Sequence, residues 1–169
     1  LATAFSAFAQ TPTPQAQLRE TVVTANRSEQ SLADALPHTT VIGREAIERT
    51  QAVDLATLLA GEAGFQSTQA GGRGTATSLF LRGSAATQVL VMIDGVPLTK
   101  QDTTGTVSLE HIMLDSIERV EIVRGNVSAI YGSGAVGGVI QLFTRKGQGK
   151  PAGYAQLEAG SFNTMRAAA

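Results

Sequence analysis

The chain has no cysteine, which removes disulfides, thiolate metal sites and cysteine nucleophiles together. It also lacks a long hydrophobic run. Its longest purely aliphatic stretch, residues 89–93, is far too short to cross a bilayer as a helix. A place in a membrane would therefore have to come through a β-barrel or a barrel's contents. Charge of one sign is not in excess either: 13 basic residues against 14 acidic ones leave a net charge of −1. The basic residues are scattered and there are only two tyrosines, so neither an electrostatic stripe nor a stacking surface is offered to nucleic acid. The two histidines, His38 and His111, are too far apart and too poorly supported by carboxylates to suggest a metal site. No metal and no cofactor is expected.

Against these absences stand 18 glycines in 169 residues. Many gather in two clusters, Gly71-Gly72-Arg73-Gly74 and residues 132–138, where tight turns or close backbone approach are the usual reasons. Apolar residues make up 43% and charged residues 16%, which is enough for one compact domain with a core plus tails.

Along the chain, residues 1–9 are apolar and small and end in Ala7-Phe8-Ala9, the pattern of a signal-peptide remnant with a small-x-small cleavage site. Residues 10–19 carry Pro12, Pro14 and three glutamines without periodicity and read as a disordered linker. Glu20-Thr21-Val22-Val23-Thr24-Ala25 is a β-favouring island in this polar stretch. It suits a first strand, or a strand awaiting a partner's sheet edge. From residue 37 the pattern is globular. A strand is expected over 39–42 and a short helix over 44–49. A second helix follows, with Leu55, Leu58 and Leu59 on one face, Asp54 near its start and Gly61 past its end. The stretch 68–77 reads as a glycine-rich loop, and strands are expected over 79–81, 89–93, 120–123 and 139–143. Asp94-Gly95 is a turn signal. An exposed loop over 98–108, a helical turn over 112–117 and a helix capped by Asn126 and ending at Gly132 complete the domain. The fold class is α+β, a small mixed β-sheet with short helices. Residues 154–159 alternate polar and apolar as a barrel strand or an ordinary hairpin would.

No catalytic constellation emerges, and the chain reads as a non-enzyme. Gly132-Ser133-Gly134-Ala135-Val136-Gly137 matches a dinucleotide fingerprint in letters, but Val139 to Phe143 after it is strand-like, where the pyrophosphate site needs a helix N-terminus. Ser84, Ser128 and Ser133 lack a nucleophile-elbow pattern. Glu118 and Glu121 flank Arg119 as local charge pairing would. Arg82-Gly83 and Arg124-Gly125 each follow an apolar strand, placing a guanidinium at the edge of the core, where a carboxylate partner on a second surface would hold it.

Leu81-Arg82-Gly83, then 89–97, then 117–125, then 129–140, in this order and spacing, resemble the plug domain of TonB-dependent receptors over about residues 20–145. Asn126 stands where that family usually has proline. The resemblance implies a TonB box over 20–27 with Glu20, Thr21, Val22, Val23, Thr24 and Ala25 at its heart, and a plug over 28–147. It also implies the first strands of a truncated transmembrane barrel over 152–169. Within the family, Thr21 to Arg27 is most similar to the cobalamin (vitamin B12) transporter subfamily. That likeness carries ligand contacts onto Ala76, Ser78, Ala85, Thr103 and Thr104, with Arg73 and Asp102 as neighbours. The strand-end arginines Arg82 and Arg124 are expected to make the plug–barrel contacts, with barrel carboxylates as partners. The implied partners are TonB, the barrel and a cobalamin or metal-chelate ligand, and the implied location is the outer membrane. A ferric-siderophore receptor is the alternative within transport. A soluble ligand-binding or signalling module is the alternative from another class.

Overall fold

A computed structural model describes residues 21–22, 30–31, 38–72, 74–98, 107–147, 153, 155–161 and 164–168. In chain order these form strands β1 (Thr21–Val22), β2 (Gln30–Ser31) and β3 (Thr39–Gly43), then helices α1 (Arg44–Thr50) and α2 (Leu55–Ala60). Strands β4 (Phe65–Gln69), β5 (Thr77–Leu81), β6 (Val89–Ile93), β7 (Val96–Pro97) and β8 (Ile117–Arg124) follow. Helix α3 (Ser128–Tyr131) and strands β9 (Gly138–Thr144), β10 (Gln156–Gly160) and β11 (Thr164–Ala168) complete the set.

The centre is a five-stranded sheet ordered β3-β8-β9-β6-β7. It is mixed, because β6 and β9 run parallel while the other neighbours are antiparallel. Central strands of such a sheet are covered on both faces and read as nearly continuous apolar runs, as Val139, Ile140 and Leu142 do at 0% exposure. The larger core lies on one face, where Leu55, Leu58 and Leu59 of α2 and Leu79 and Leu81 of β5 pack with Val120, Ile122, Ile140 and Leu142. On the opposite face a smaller cluster joins Met92, Val123, Val127, Ala135 and Val139.

Local chemistry sets the element ends. Asp54 caps α2 by accepting from the Thr57 N–H at 2.7 Å, and Leu55 and Leu59 behind it are fully buried. Gly61 closes the same helix at φ −80°, a right-handed conformation, so it stops the helix without exploiting glycine's special freedom. Asn126 accepts from the Ser128 N–H at 3.0 Å and its hydroxyl at 2.6 Å, but Val127, not Asn126, holds the N-cap position of α3, and no side chain caps that helix. Asp94 and Gly95, at φ +47° and +85°, make the two-residue turn between β6 and β7. The Asp94 carboxylate then reaches β9, accepting from the Thr144 hydroxyl at 2.6 Å and its N–H at 3.0 Å.

Those Thr144 hydrogen bonds, the hydroxyl first, hold the Asp94 carboxyl below its ordinary value of 3.8. A carboxyl lowered in the folded state stabilises the fold above its unfolded pKa and loses that contribution as pH falls through the folded value. Asp94→Asn is therefore expected to lower stability at pH 7 and to match the parent progressively more closely as pH drops below about 4. Denaturation at stepped pH checks this; a deficit that stayed constant down to pH 2 would contradict it.

Two further expectations need correction. The stretch 68–77 is not all loop, because β4 extends to Gln69 and pairs with Thr77. The helical turn expected over 112–117 lies earlier, as a 3-10 turn at Leu109–His111, and Met113 instead bridges to Asp54. Two others are as expected: the fingerprint-like run is a 3-10 turn at Ser133–Ala135 followed by strand β9. The Arg119 guanidinium binds Glu121 at 2.8 Å and stacks 3.8 Å from the Phe143 ring centre, the local charge pairing expected of it.

Candidate functional site

The two Arg-Gly strand ends meet. Arg82, at φ +51°, closes β5, and Arg124 is the last residue of β8. They line an open cleft of about 320 Å³ with His38, Thr40, Glu62 and Gly64. Arg124 is the inner member, its side chain only 8% exposed. It donates to the Ala63 carbonyl at 3.1 Å, to the Thr40 hydroxyl, and to Glu62 Oε2 at 3.4 Å, and it lies 5.7 Å from the Phe65 ring centre. Burial pulls this guanidinium below the ordinary arginine value and Arg82 pushes the same way, while Glu62 opposes both. Arg82 is exposed, with its Nη2 3.3 Å from His38 Nδ1. The cleft thus holds two guanidiniums against one carboxylate, an arrangement suited to receiving a further carboxylate. Glu62, Thr40 and His38 had no sequence signal; Glu62 stands 62 positions from Arg124 and meets it only because α2 turns the chain back.

The expected ligand contacts are separated. Ala76, at the tip of the β4–β5 hairpin, is exposed and Ser78 is half-buried. Ala85 is exposed on another loop, where its N–H donates to the Gln88 side chain at 3.1 Å. Arg73, Asp102, Thr103 and Thr104 lie outside the described residues, as do Glu20, Val23, Thr24 and Ala25 of the expected TonB box. Thr21 and Val22 form β1, paired antiparallel with Ser31 and Gln30. No group of three or more potential metal ligands occurs among the described residues. At the far end of the chain β10 and β11 pair so that Leu157, Ala159, Met165 and Ala167 share one face. Leu157 and Met165 on that face are 87% and 86% exposed.

The chain is similar to known proteins. Two curated relatives are vitamin B12 transporters named BtuB. That of Vibrio vulnificus (strain CMCP6) is 42% identical over 153 residues, covering 86% of this chain and 25% of its own length. That of Vibrio cholerae serotype O1 is 46% identical over 132 residues, covering 78% of this chain and 21% of its own. The chain thus spans about a quarter of the length of these relatives. Among solved structures, the pyoverdine outer membrane receptor FpvA of Pseudomonas aeruginosa PAO1 superposes with a TM-score of 0.74 at 21% identity. The match covers 87% of this chain and 21% of that one, and its likeness is one of fold alone. These relatives are transporters and receptors, not enzymes. The family profile described as TonB-dependent Receptor Plug Domain matches residues 31–139. That span holds β3, β6, β7 and β8 of the mixed sheet, the start of β9 and both strand-end arginines, and the chain belongs to the TonB-dependent receptor plug domain family.

Proposed function

We propose that this chain is the plug region of a TonB-dependent outer-membrane transporter that binds cobalamin and imports it to the periplasm. The likeness to vitamin B12 transporters, at 42% and 46% identity over most of the chain, carries this reading. In it, ligand binds the loops bearing Ala76, Ser78 and Ala85, with Arg73, Asp102, Thr103 and Thr104 on the neighbouring stretches. Occupancy shifts the population of plug conformations towards one that offers the TonB box to the periplasm. There Glu20 to Ala25 adds as a strand to the edge of TonB's sheet. The pairing of Thr21 and Val22 within this chain supports that step, because the segment already takes a strand partner.

The remaining parts follow the same logic. Arg82 and Arg124 dock against barrel carboxylates. Arg124 already holds Glu62, so Arg82, exposed at the rim, is the arm that takes the barrel group first. The β10–β11 hairpin opens the barrel, and its exposed apolar face is what a lipid-facing strand pair presents.

Cells expressing the full-length parent are expected to bind labelled cyanocobalamin at the surface, and ferric siderophores are expected not to displace it. Displacement by a siderophore, with no direct cobalamin binding, would replace this substrate by a metal chelate. Support for that alternative comes from a ferric enterobactin receptor of Pseudomonas aeruginosa, PfeA, 27% identical at a TM-score of 0.54 over 67% of this chain and 18% of its own.

A further inference from the structure

The β4–β5 hairpin stands apart from the five-stranded sheet as a two-stranded unit. Its near end is well held: the Arg82 N–H donates to the Gly64 carbonyl at 2.8 Å, and Leu81 is fully buried. Its far end, which carries Ala76 and Ser78, is not. Gln66 to Gln69 of β4 are exposed throughout. The Ala70 N–H donates to the Ala76 carbonyl at 3.1 Å. This makes Gln69 and Thr77 a non-hydrogen-bonded pair in the alternating antiparallel pattern, so the Thr77 amide points away from β4.

That outward amide meets Glu110. The Thr77 N–H donates to Glu110 Oε2 at 3.3 Å, and both residues are buried. Among the described residues it is the one hydrogen bond that ties the far half of the hairpin to another element. Packing holds the middle of the hairpin, where Leu79 joins the main core, but is incomplete beyond it. A cavity of about 100 Å³ opens at this junction, between Thr77 and Leu79 on the hairpin and Leu98, Val107 and Leu109 on the facing segment. The other carboxyl oxygen of Glu110 sits 3.9 Å from His111 Nε2, beyond hydrogen-bond reach. Glu110 is 7% exposed, and a carboxyl group so largely withdrawn from water with one donor is a costlier occupant of a core-edge position than a leucine would be. What glutamate supplies there, and leucine does not, is the acceptor.

We propose that Glu110 is a positioning residue for ligand recognition: it fixes the far end of the β4–β5 hairpin, and with it Ala76 and Ser78, to the segment entering the 3-10 turn at Leu109–His111. The role rests on the assignment of Ala76 and Ser78 as ligand contacts made above. The 3-10 turn is itself anchored, since the Ile112 carbonyl accepts from the Leu55 N–H at 2.9 Å at the start of α2. The hairpin tip is thereby referenced to the helix that ends beside Glu62 and the arginine cleft.

The test uses the full-length receptor with a spin label at Ala76→Cys, which is specific within this chain because the chain has no cysteine. It compares Glu110→Leu, which fills the volume without an acceptor, with Glu110→Gln, which keeps one. Hydrogen exchange of the peptide spanning Thr77 and labelled-cyanocobalamin affinity are read separately on the unlabelled receptor, in which Ala76 is kept. Glu110→Leu is expected to mobilise the label, to speed exchange about ten-fold or more, and to weaken cyanocobalamin binding by a similar factor, with an unchanged melting temperature. Glu110→Gln is expected to stay within about three-fold of the parent. Label spectra and exchange in Glu110→Leu equal to the parent's would overturn the proposal, as would equal damage by both substitutions. If the parent itself bound no cyanocobalamin while label and exchange responded as stated, the substrate reading would fail and the positioning role would stand.

Discussion

Gly138→Ala is expected to destabilise the domain by about 3 kcal/mol or more, because steric overlap and backbone strain act at one position. Gly138 opens β9 at φ +149°, a conformation that side chains rarely adopt. An added methyl would press into the Val123 carbonyl of β8 and come within 2.8 Å of Leu81 Cδ2. Neither neighbour can yield cheaply. Val123 is held in the β8–β9 ladder, and Leu81 is fully buried in the main core. Relief would require shifting the strand pair at the residue before Arg124, so the arginine cleft should loosen with the fold. Gly72→Ala is the control, since nothing lies within 4 Å of the built methyl and its φ is not in the strained range; it should stay within about 0.5 kcal/mol of the parent. Denaturant unfolding of the full-length protein compares the two. Equal midpoints would show that β8 and β9 do not approach as closely as described.

The second large effect is expected at the other end of the chain. Val22→Pro should reduce capture of TonB's periplasmic domain by the ligand-loaded receptor at least about ten-fold while leaving ligand affinity unchanged. Proline removes the residue's N–H, fixes φ near −65° and is excluded from the interior of a ladder. Strand addition draws its affinity from main-chain hydrogen bonds, so one missing donor in a box of six residues interrupts the whole pairing. Val22 occupies a strand paired with Gln30 within the chain, which marks its backbone as ladder-competent. Val22→Thr, which keeps the donor and the β preference, should capture TonB like the parent. Equal loss in both variants would assign the effect to the side chain and not to the ladder.

What could be read from the sequence was local and periodic. The apolar runs of β6, β8 and β9, the Asp94-Gly95 turn and the Asp54 cap are short-range signals whose cause and effect lie within a few residues. β4 was missed because Gln66, Ser67, Thr68 and Gln69 carry no hydrophobic pattern; the strand exists through its register with β5. The turn near Met113 was misplaced because the bridge to Asp54 decides it across 59 positions. At the candidate site, each Arg-Gly strand end was visible alone. Their convergence with Glu62, Thr40 and His38 was not, because no spacing rule links residues brought together by the path of α2 and the order of the sheet. Glu110 carried no sequence signal. Only the outward amide of Thr77, a consequence of hairpin register, gives its carboxyl group a task.

The central claim, TonB-coupled import of cobalamin, is tested most directly by uptake of labelled cyanocobalamin into cells expressing the full-length parent, beside its Val22→Pro variant. The account predicts accumulation by the parent and none above background in the variant, with surface binding equal in both. Normal accumulation by Val22→Pro, or no binding and no uptake by a well-expressed parent, would contradict it.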